Sequence, residues 1–260
     1  MAAAKKKPAA KSKPAPKKPA AKATKAKAAV AATAPAAPAA PPGPPAVDHA
    51  ARVGELWRRL ETWVATTGAP PLSLSPGASE KAIAAAEKTM KLAFPPDVRA
   101  SLAIHDGQVA EVGAQIFPWM PGCPPMLSVA RIVERWKEEQ DLAAKKQPKK
   151  ELLDATGKLK SGLYRTGRIP LAGPLDPRRR DGERTFLDMD PGPAGVRGQL
   201  ITMVSATDFV VIDASFAAAF ERWVNVLERG LWIYDTALST VHPRALAPAS
   251  SHPSGLFSRR

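Results

Sequence analysis

The stretch ERTFLDMDPGPAGVRGQLITMV, residues 183–204, contains two apolar runs separated by a segment rich in proline and glycine. Both runs contain the β-branched, aromatic and long apolar residues that suit strands, and the segment between them has the composition of a turn. The connection is too short for a crossover helix, which favours antiparallel neighbours. The stretch therefore predicts a β-hairpin.

Two further runs extend this hairpin into a meander. RIPLA at 168–172 and DFVVIDA at 208–214 have the same strand composition and are bounded by Gly, Pro or Asp. The period then becomes helical in SFAAAFERWVNVLERG at 215–230, where Ser215 is placed as an N-cap and the apolar residues share one face. We expect four antiparallel strands followed by a closing helix.

Four helices are predicted before the meander. Each begins at a residue suited to an N-terminus, and these residues are Asp48, Ser79, Pro96 and Ser128. The first helix is expected to end at Gly68 and the third at Gly107, while residues 108–126 predict a loop with at most a short strand. The fold class is therefore α+β, with helices packed on one antiparallel sheet. We expect one domain over 48–240, with a C-terminal tail over 241–260.

Residues 1–47 contain ten lysines, ten prolines and no acidic residue, so they are expected to be disordered. Such lysines displace counterions from phosphates without reading sequence. One hypothesis is therefore a nucleoid- or RNA-associated protein that binds nucleic acid non-specifically through this tail; a solubilising extension is the alternative. The polyanion-binding candidates are Lys5, Lys6, Lys7, Lys11, Lys13, Lys17, Lys18, Lys22, Lys25 and Lys27.

Composition limits the remaining function classes. The formal net charge is +14, and removing the ten tail lysines leaves about +4 for the rest of the chain. One cysteine, Cys123, cannot form an internal disulfide, and four histidines without partner cysteines make no structural zinc motif. We expect a cytoplasmic protein, with nucleoid association as an alternative. No cofactor is expected, and neither a secretory signal nor a membrane span is predicted.

Asp188 and Asp190 are the best candidates for catalysis. Strand alternation would place both carboxylates on one face, where they could bind a divalent cation in a metal-dependent hydrolase. Pro191 follows at once and no crossover helix is predicted, which favours a turn instead. In that interpretation Asp190 accepts backbone N–H bonds and Gly192 supplies a positive φ. No phosphate-binding loop, dinucleotide fingerprint or hydrolase motif is present, so we expect a non-enzyme.

Several blocks over residues 53–229 resemble, in order and spacing, the SUKH superfamily, which includes the Smi/Knr-type proteins. The hairpin FLDMDPGPAGVRGQ at 186–199 is similar to that family's strand-and-turn segment, and RIPLA to its "WIPLA" strand. Two positions depart from the pattern: Arg168 replaces a tryptophan, and 205–208 replace a frequent His-Asp pair. The other matching blocks are Gly77-Ala78-Ser79, Ala86-Glu87, Phe94 to Asp97, His105 to Gln108, Leu127 to Trp136, and Asp213 to Phe216.

The resemblance implies a non-enzymatic interaction domain that binds a protein. Bacterial members of the family are immunity proteins that neutralise toxin domains, and fungal members regulate cell-wall assembly, so the partner is either a toxin domain or a regulatory protein. No membrane partner is expected. The partner-binding candidates are Asp106, Gln108, Trp119, Asp188 and Asp190.

Overall fold

The computed structural model describes residues 48–109, 115–145, 156–162, 164–176, 183–204 and 208–244. Within these ranges the chain forms five α-helices. They are α1 (His49–Thr67), α2 (Glu80–Met90), α3 (Pro96–Ile104), α4 (Val129–Lys145) and α5 (Phe216–Glu228). The tail over 1–47, the segment 205–207 and residues 245–260 lie outside the described residues.

The predicted helix caps are present. Asp48 accepts a hydrogen bond from the N–H of Ala51 at 2.9 Å, and Gly68 ends α1 in the left-handed region with a φ of 71°. Ser215 caps α5 by accepting from Ala218 at 3.2 Å. Each cap satisfies backbone groups that a helix end otherwise leaves unpaired.

Eight strands form three antiparallel sheets in the described part of the chain. The central sheet has the order β3 (Arg168–Ala172), β4 (Arg184–Asp188), β5 (Gln199–Met203) and β6 (Phe209–Asp213). The predicted meander and the α+β class are therefore confirmed. There are also two two-stranded sheets: β1 (Leu74–Pro76) with β2 (His105–Gln108), and β7 (Trp232–Asp235) with β8 (Thr240–Pro243).

The central sheet buries apolar residues on both faces. Leu187 pairs with Leu200, and both belong to the large core under the helices. Their neighbours Phe186 and Ile201 also pair, but they belong to a second apolar cluster that includes Leu159. Because side chains alternate along a strand, the two clusters lie on opposite faces of the sheet.

Aromatic residues connect α1, α3 and α5 within the large core. Trp57 of α1 donates its indole N–H to the hydroxyl of Ser101 in α3 at 3.0 Å, and its ring centroid lies 4.7 Å from that of Phe220 in α5. All three side chains are buried. The polar tip of Trp57 is thus satisfied inside an apolar contact, as burial requires.

One predicted helix end was wrong, and the predicted domain end lies within a sheet. The third helix ends at Ile104 rather than Gly107, because His105 is extended and begins β2. Gly107 has a φ of +79°, and a Cβ there would lie 2.5 Å from the backbone nitrogen of Ser128. The predicted domain end at 240 falls inside the β7–β8 sheet, since Tyr234 pairs with Val241, whose side chain is buried.

Candidate functional site

The five predicted partner-binding residues do not form one surface. Gln108, Trp119 and Asp188 are only 2%, 0% and 1% exposed, so their side chains face the interior. Asp106 is half-buried, and only Asp190 presents a large part of its side chain to solvent. Direct contact between a partner and the three buried side chains would require the fold to open.

Gln108 joins three loops from the inside of the domain. Its side-chain amide donates to the carbonyl oxygens of Leu72 at 2.7 Å and Phe117 at 2.9 Å. Its amide oxygen accepts from the backbone N–H of Met126 at 3.2 Å. Because all three partners are backbone groups of irregular segments, Gln108 substitutes for secondary structure where none is available.

Asp106 and Trp119 also have structural partners. The Asp106 carboxylate accepts a hydrogen bond from the N–H of Val129 at 2.6 Å, which places a negative charge at the N-terminus of α4. Trp119 donates its indole N–H to the carbonyl of Pro124 at 3.0 Å and stacks on Phe216, with centroids 5.6 Å apart. Both residues fix the loop before α4 against the core.

Asp188 and Asp190 occupy different environments: Asp188 is 1% exposed, whereas 46% of the Asp190 side chain is exposed. Asp188 ends β4 and accepts hydrogen bonds from the Gln199 side chain at 3.1 Å and from the Asp190 N–H at 3.3 Å. Burial raises its pKa, although Arg168 and the Gln199 hydrogen bond favour the charged form. Asp190 lies beyond the strand, where alternation no longer applies.

The carboxylate of Asp190 is half-exposed and forms ion pairs with two cationic side chains. It forms an ion pair with Lys160 and a second one with Arg165 at 2.8 Å, and their hydrogen bonds lower its pKa. The backbone acceptor role predicted for Asp190 therefore belongs to Asp188. The positive φ predicted for Gly192 occurs instead at Gly198, where φ is 85°, because the chain reverses over a wide loop rather than a tight turn.

Arg168, which replaces an aromatic residue of the resembling family, is buried in the second cluster. Its guanidinium donates to the carbonyls of Gly162 at 2.7 Å and Lys160 at 3.0 Å, and lies 4.5 Å above the ring of Phe209. Burial lowers its pKa. The arginine therefore contacts an aromatic ring and also hydrogen-bonds the 160–162 loop.

An apolar groove lies on the opposite face of the sheet, between β6 and α5, and we call it the β6 groove. It has a volume of about 460 Å³. Its base includes the buried residues Met120, Cys123 and Trp223. The residues that line it are Met120, Pro121, Gly122, Cys123, Thr202, Val204, Val210, Ile212, Ala219, Arg222, Trp223, Val226 and Trp232.

Exposed apolar side chains border this groove. Val204 is 44% exposed and Val210 is 49% exposed, although both lie at the sheet. Val210 belongs to β6, the outer strand, whose only strand partner in the described ranges is β5. An apolar groove beside an unpaired strand edge is typical of protein-binding surfaces.

Sequence reasoning missed this groove because its walls come from distant segments. A signal existed in the DFVVIDA run, where Val210 and Ile212 alternate with residues that face the other side of the sheet. Helix α5 contained a second signal. Its apolar face widens at Val226, which lies one turn after Arg222. Neither signal shows that the two elements border the same space.

The described part of the chain also bears on metal binding and membrane insertion. No group of three or more His, Cys, Asp or Glu residues there is arranged to hold a metal ion. None of the described helices combines the length and apolarity that crossing a membrane requires.

The chain is similar to the cell wall biosynthesis/cell cycle regulator smi1 of Schizosaccharomyces pombe, with 29% identity over 197 residues. The alignment covers 70% of this chain but 38% of that protein, so the chain spans well under half of the relative's length. No protein-family model matches the chain. The similarity supports a relationship to the Smi1/Knr-type regulators.

Proposed function

We propose that this chain is a non-enzymatic regulatory protein of the Smi1/Knr type that binds a protein partner through the β6 groove. The observation that carries the proposal is the apolar groove beside the edge of β6, which has no strand partner among the described residues. A cytoplasmic location is part of the same proposal. A toxin-immunity role is one version of it, in which the partner is a toxin domain.

The polar residues of the described domain support a binding role over a catalytic one. Asp188 is hydrogen-bonded within the fold, and Asp190 forms ion pairs with two cationic side chains, so both carboxylates already have partners in the protein. The groove itself contains Cys123, whose pKa is raised to about 11 by burial. A thiol in that state is a poor nucleophile, because the thiolate is the reactive form.

The test compares three forms of the full chain in native lysate after brief cross-linking. Val210→Glu places a charge in the groove at a half-exposed position, so the fold should persist. Val196→Glu is the matched control, because Val196 is 53% exposed in the β4–β5 loop, outside the groove. Proteins recovered by the wild type and the control, but not by Val210→Glu, are the expected partners.

A purified partner should then bind the Val210→Glu variant at least about tenfold more weakly in calorimetry, because a buried unpaired charge opposes docking. Equal recovery and equal affinity for both variants would contradict the proposal.

A second function is favoured by the ten lysines and absent acidic residues of 1–47, which would give the protein affinity for nucleic acid. Anisotropy of a labelled DNA duplex, titrated at rising salt, tests it. We expect binding to weaken steeply with salt and to vanish when residues 1–47 are deleted. Unchanged binding by the shortened protein would show that residues 1–47 are not what binds the DNA.

A further inference from the structure

The outer edge of β6 favours an extended segment. Val210 and Ile212 lie two residues apart in this strand, and both line the β6 groove. A segment that pairs with β6 would present every second side chain on the same face as these two. Main-chain hydrogen bonds would then supply affinity, and the groove would select the alternate side chains.

The rim of the groove carries arginines. Arg222 donates to the carbonyl of Ile212 at 2.9 Å and lies 3.2 Å from the carboxylate of Asp213, with 59% of its side chain exposed. It therefore reaches from α5 to the edge strand. A carboxylate brought to this edge could accept a charge-assisted hydrogen bond from the exposed guanidinium.

A second depression of about 340 Å³ adjoins the groove and shares Arg222 and Val226 with it. Three arginines and one glutamate line this depression. Arg52 is paired with that glutamate, Glu221, whereas the exposed Arg229 has no side-chain partner within the described ranges. The rim thus has an unbalanced positive charge that an acidic side chain would complement.

One residue that lines the groove has a buried donor without an acceptor in the described part of the chain. Trp223 is 4% exposed, and its indole N–H has no acceptor in the described part of the chain. The ring meets Trp232 edge to face, with centroids 5.6 Å apart. A buried donor without a partner costs about 1–3 kcal/mol, and this one lies beneath the surface of the groove wall.

The chain's own terminal segments do not match this rim. Neither residues 1–47 nor residues 245–260 contain an aspartate or a glutamate, and both are basic. Charge complementarity therefore favours an acidic segment of another protein over these two terminal segments as the occupant.

We infer that the β6 groove binds an extended partner segment with apolar residues at alternate positions and a carboxylate side chain that engages Arg222 or Arg229. This inference rests on the proposed function and names the chemistry of its partner.

The probe is a random peptide library displayed on phage and selected on the full-length protein. We expect peptides with alternating apolar residues and at least one Asp or Glu, which lose binding to Val210→Glu. The double variant Arg222→Glu/Arg229→Glu should weaken them about tenfold or more, since charge-assisted hydrogen bonds are lost. Arg58→Glu is the matched control, because Arg58 is exposed on α1 and lines neither depression.

The other possible outcomes distinguish failure of this inference from failure of the proposed function. This inference would be overturned, and the proposed function left standing, by peptides that need Val210 but lack carboxylates. Peptides that need Val210 but bind the double arginine variant as tightly as the wild type would have the same meaning. Peptides that bind Val210→Glu as well as the wild type would refute both. Concentration-dependent self-association that is lost in Val210→Glu would assign the groove to a second copy of the chain, and so overturn the inference.

Discussion

The carboxylate of Asp97, in the first turn of α3, accepts a hydrogen bond at 2.8 Å from the N–H of Ala217, in the first turn of α5. Its other oxygen accepts from the N–H of Val98 at 2.9 Å, and the side chain is only 4% exposed. Two helices far apart in sequence therefore share one carboxylate at their N-termini. This arrangement satisfies free N–H groups of both helices and complements both helix dipoles.

Replacing Asp97 should destabilise the domain. Asp97→Ala leaves two buried N–H groups without an acceptor, so we expect the free energy of unfolding to fall by about 2–4 kcal/mol. Asp97→Asn keeps one acceptor and should lose less. Urea denaturation measures both, with Asp141→Ala on the exposed surface of α4 as the control. Equal losses for Asp97→Ala and Asp141→Ala would show that the shared cap contributes nothing.

Gln108→Leu tests whether that residue acts inside the fold. The change leaves two carbonyl oxygens and one N–H unsatisfied, and we expect a loss of about 2–4 kcal/mol in unfolding free energy. The matched control is Gln140→Leu, because the side-chain nitrogen of Gln140 is buried without a partner in the described ranges and should cost little to remove. A stable Gln108→Leu protein with weakened partner binding would instead restore Gln108 as a contact residue.

Gly107 should tolerate no side chain. Gly107→Ala combines a positive φ with a Cβ only 2.5 Å from the backbone of Ser128, so we expect a loss of about 2–4 kcal/mol. Gly54→Ala lies inside α1 with its nearest contact at 3.7 Å, and should be neutral or stabilising by up to about 1 kcal/mol. Thermal unfolding of the two variants compares them directly. Similar melting temperatures would refute the steric argument.

Alkylation of Cys123 should be slow in the native protein. With its pKa raised to about 11 from an ordinary value of 9.0, the thiol is ionised roughly a hundredfold less at pH 8. Iodoacetamide should therefore react with the native chain at least about a hundredfold more slowly than with the urea-unfolded chain. The rate should rise with pH towards 11. Native and unfolded rates within a few-fold of each other would contradict the buried environment.

Asp190 should contribute stability only above acidic pH. Lys160 and Arg165 hold its folded-state pKa below the unfolded value, so its contribution is complete above the unfolded pKa and is lost as pH falls through the folded pKa. Because the side chain is half-exposed, Asp190→Asn should cost at most about 1 kcal/mol at pH 7 and almost nothing near pH 2. Urea denaturation at the two pH values, with and without salt, measures this. A loss that is independent of pH would exclude an ionic origin.

Local signals predicted most of the fold. Asp48, Ser79 and Ser215 are caps whose effect depends on residues three positions away, so sequence alone identifies them. The strands β1 and β2 were missed because they are short and join segments about thirty residues apart. The central sheet, by contrast, follows from short connections between neighbouring strands.

The candidate site was less predictable. Gln108 and Trp119 stand out in the sequence, but the structure uses both to hold loops in place. The β6 groove depends on tertiary contacts between the 120–123 loop, the sheet and α5, and its residues are ordinary valines and tryptophans. Only the three-dimensional arrangement shows that they border one space.

The β7–β8 sheet sets a practical limit on how far the protein can be shortened. A version that stopped at residue 240 would lack the residues that pair with Trp232, Ile233 and Tyr234, and it would lose the bond from the N–H of Arg244 to the carbonyl of Leu231. The remaining strand would be a bare apolar edge, which is prone to self-assembly. Recombinant versions intended for crystallisation or binding assays should therefore continue through Arg244.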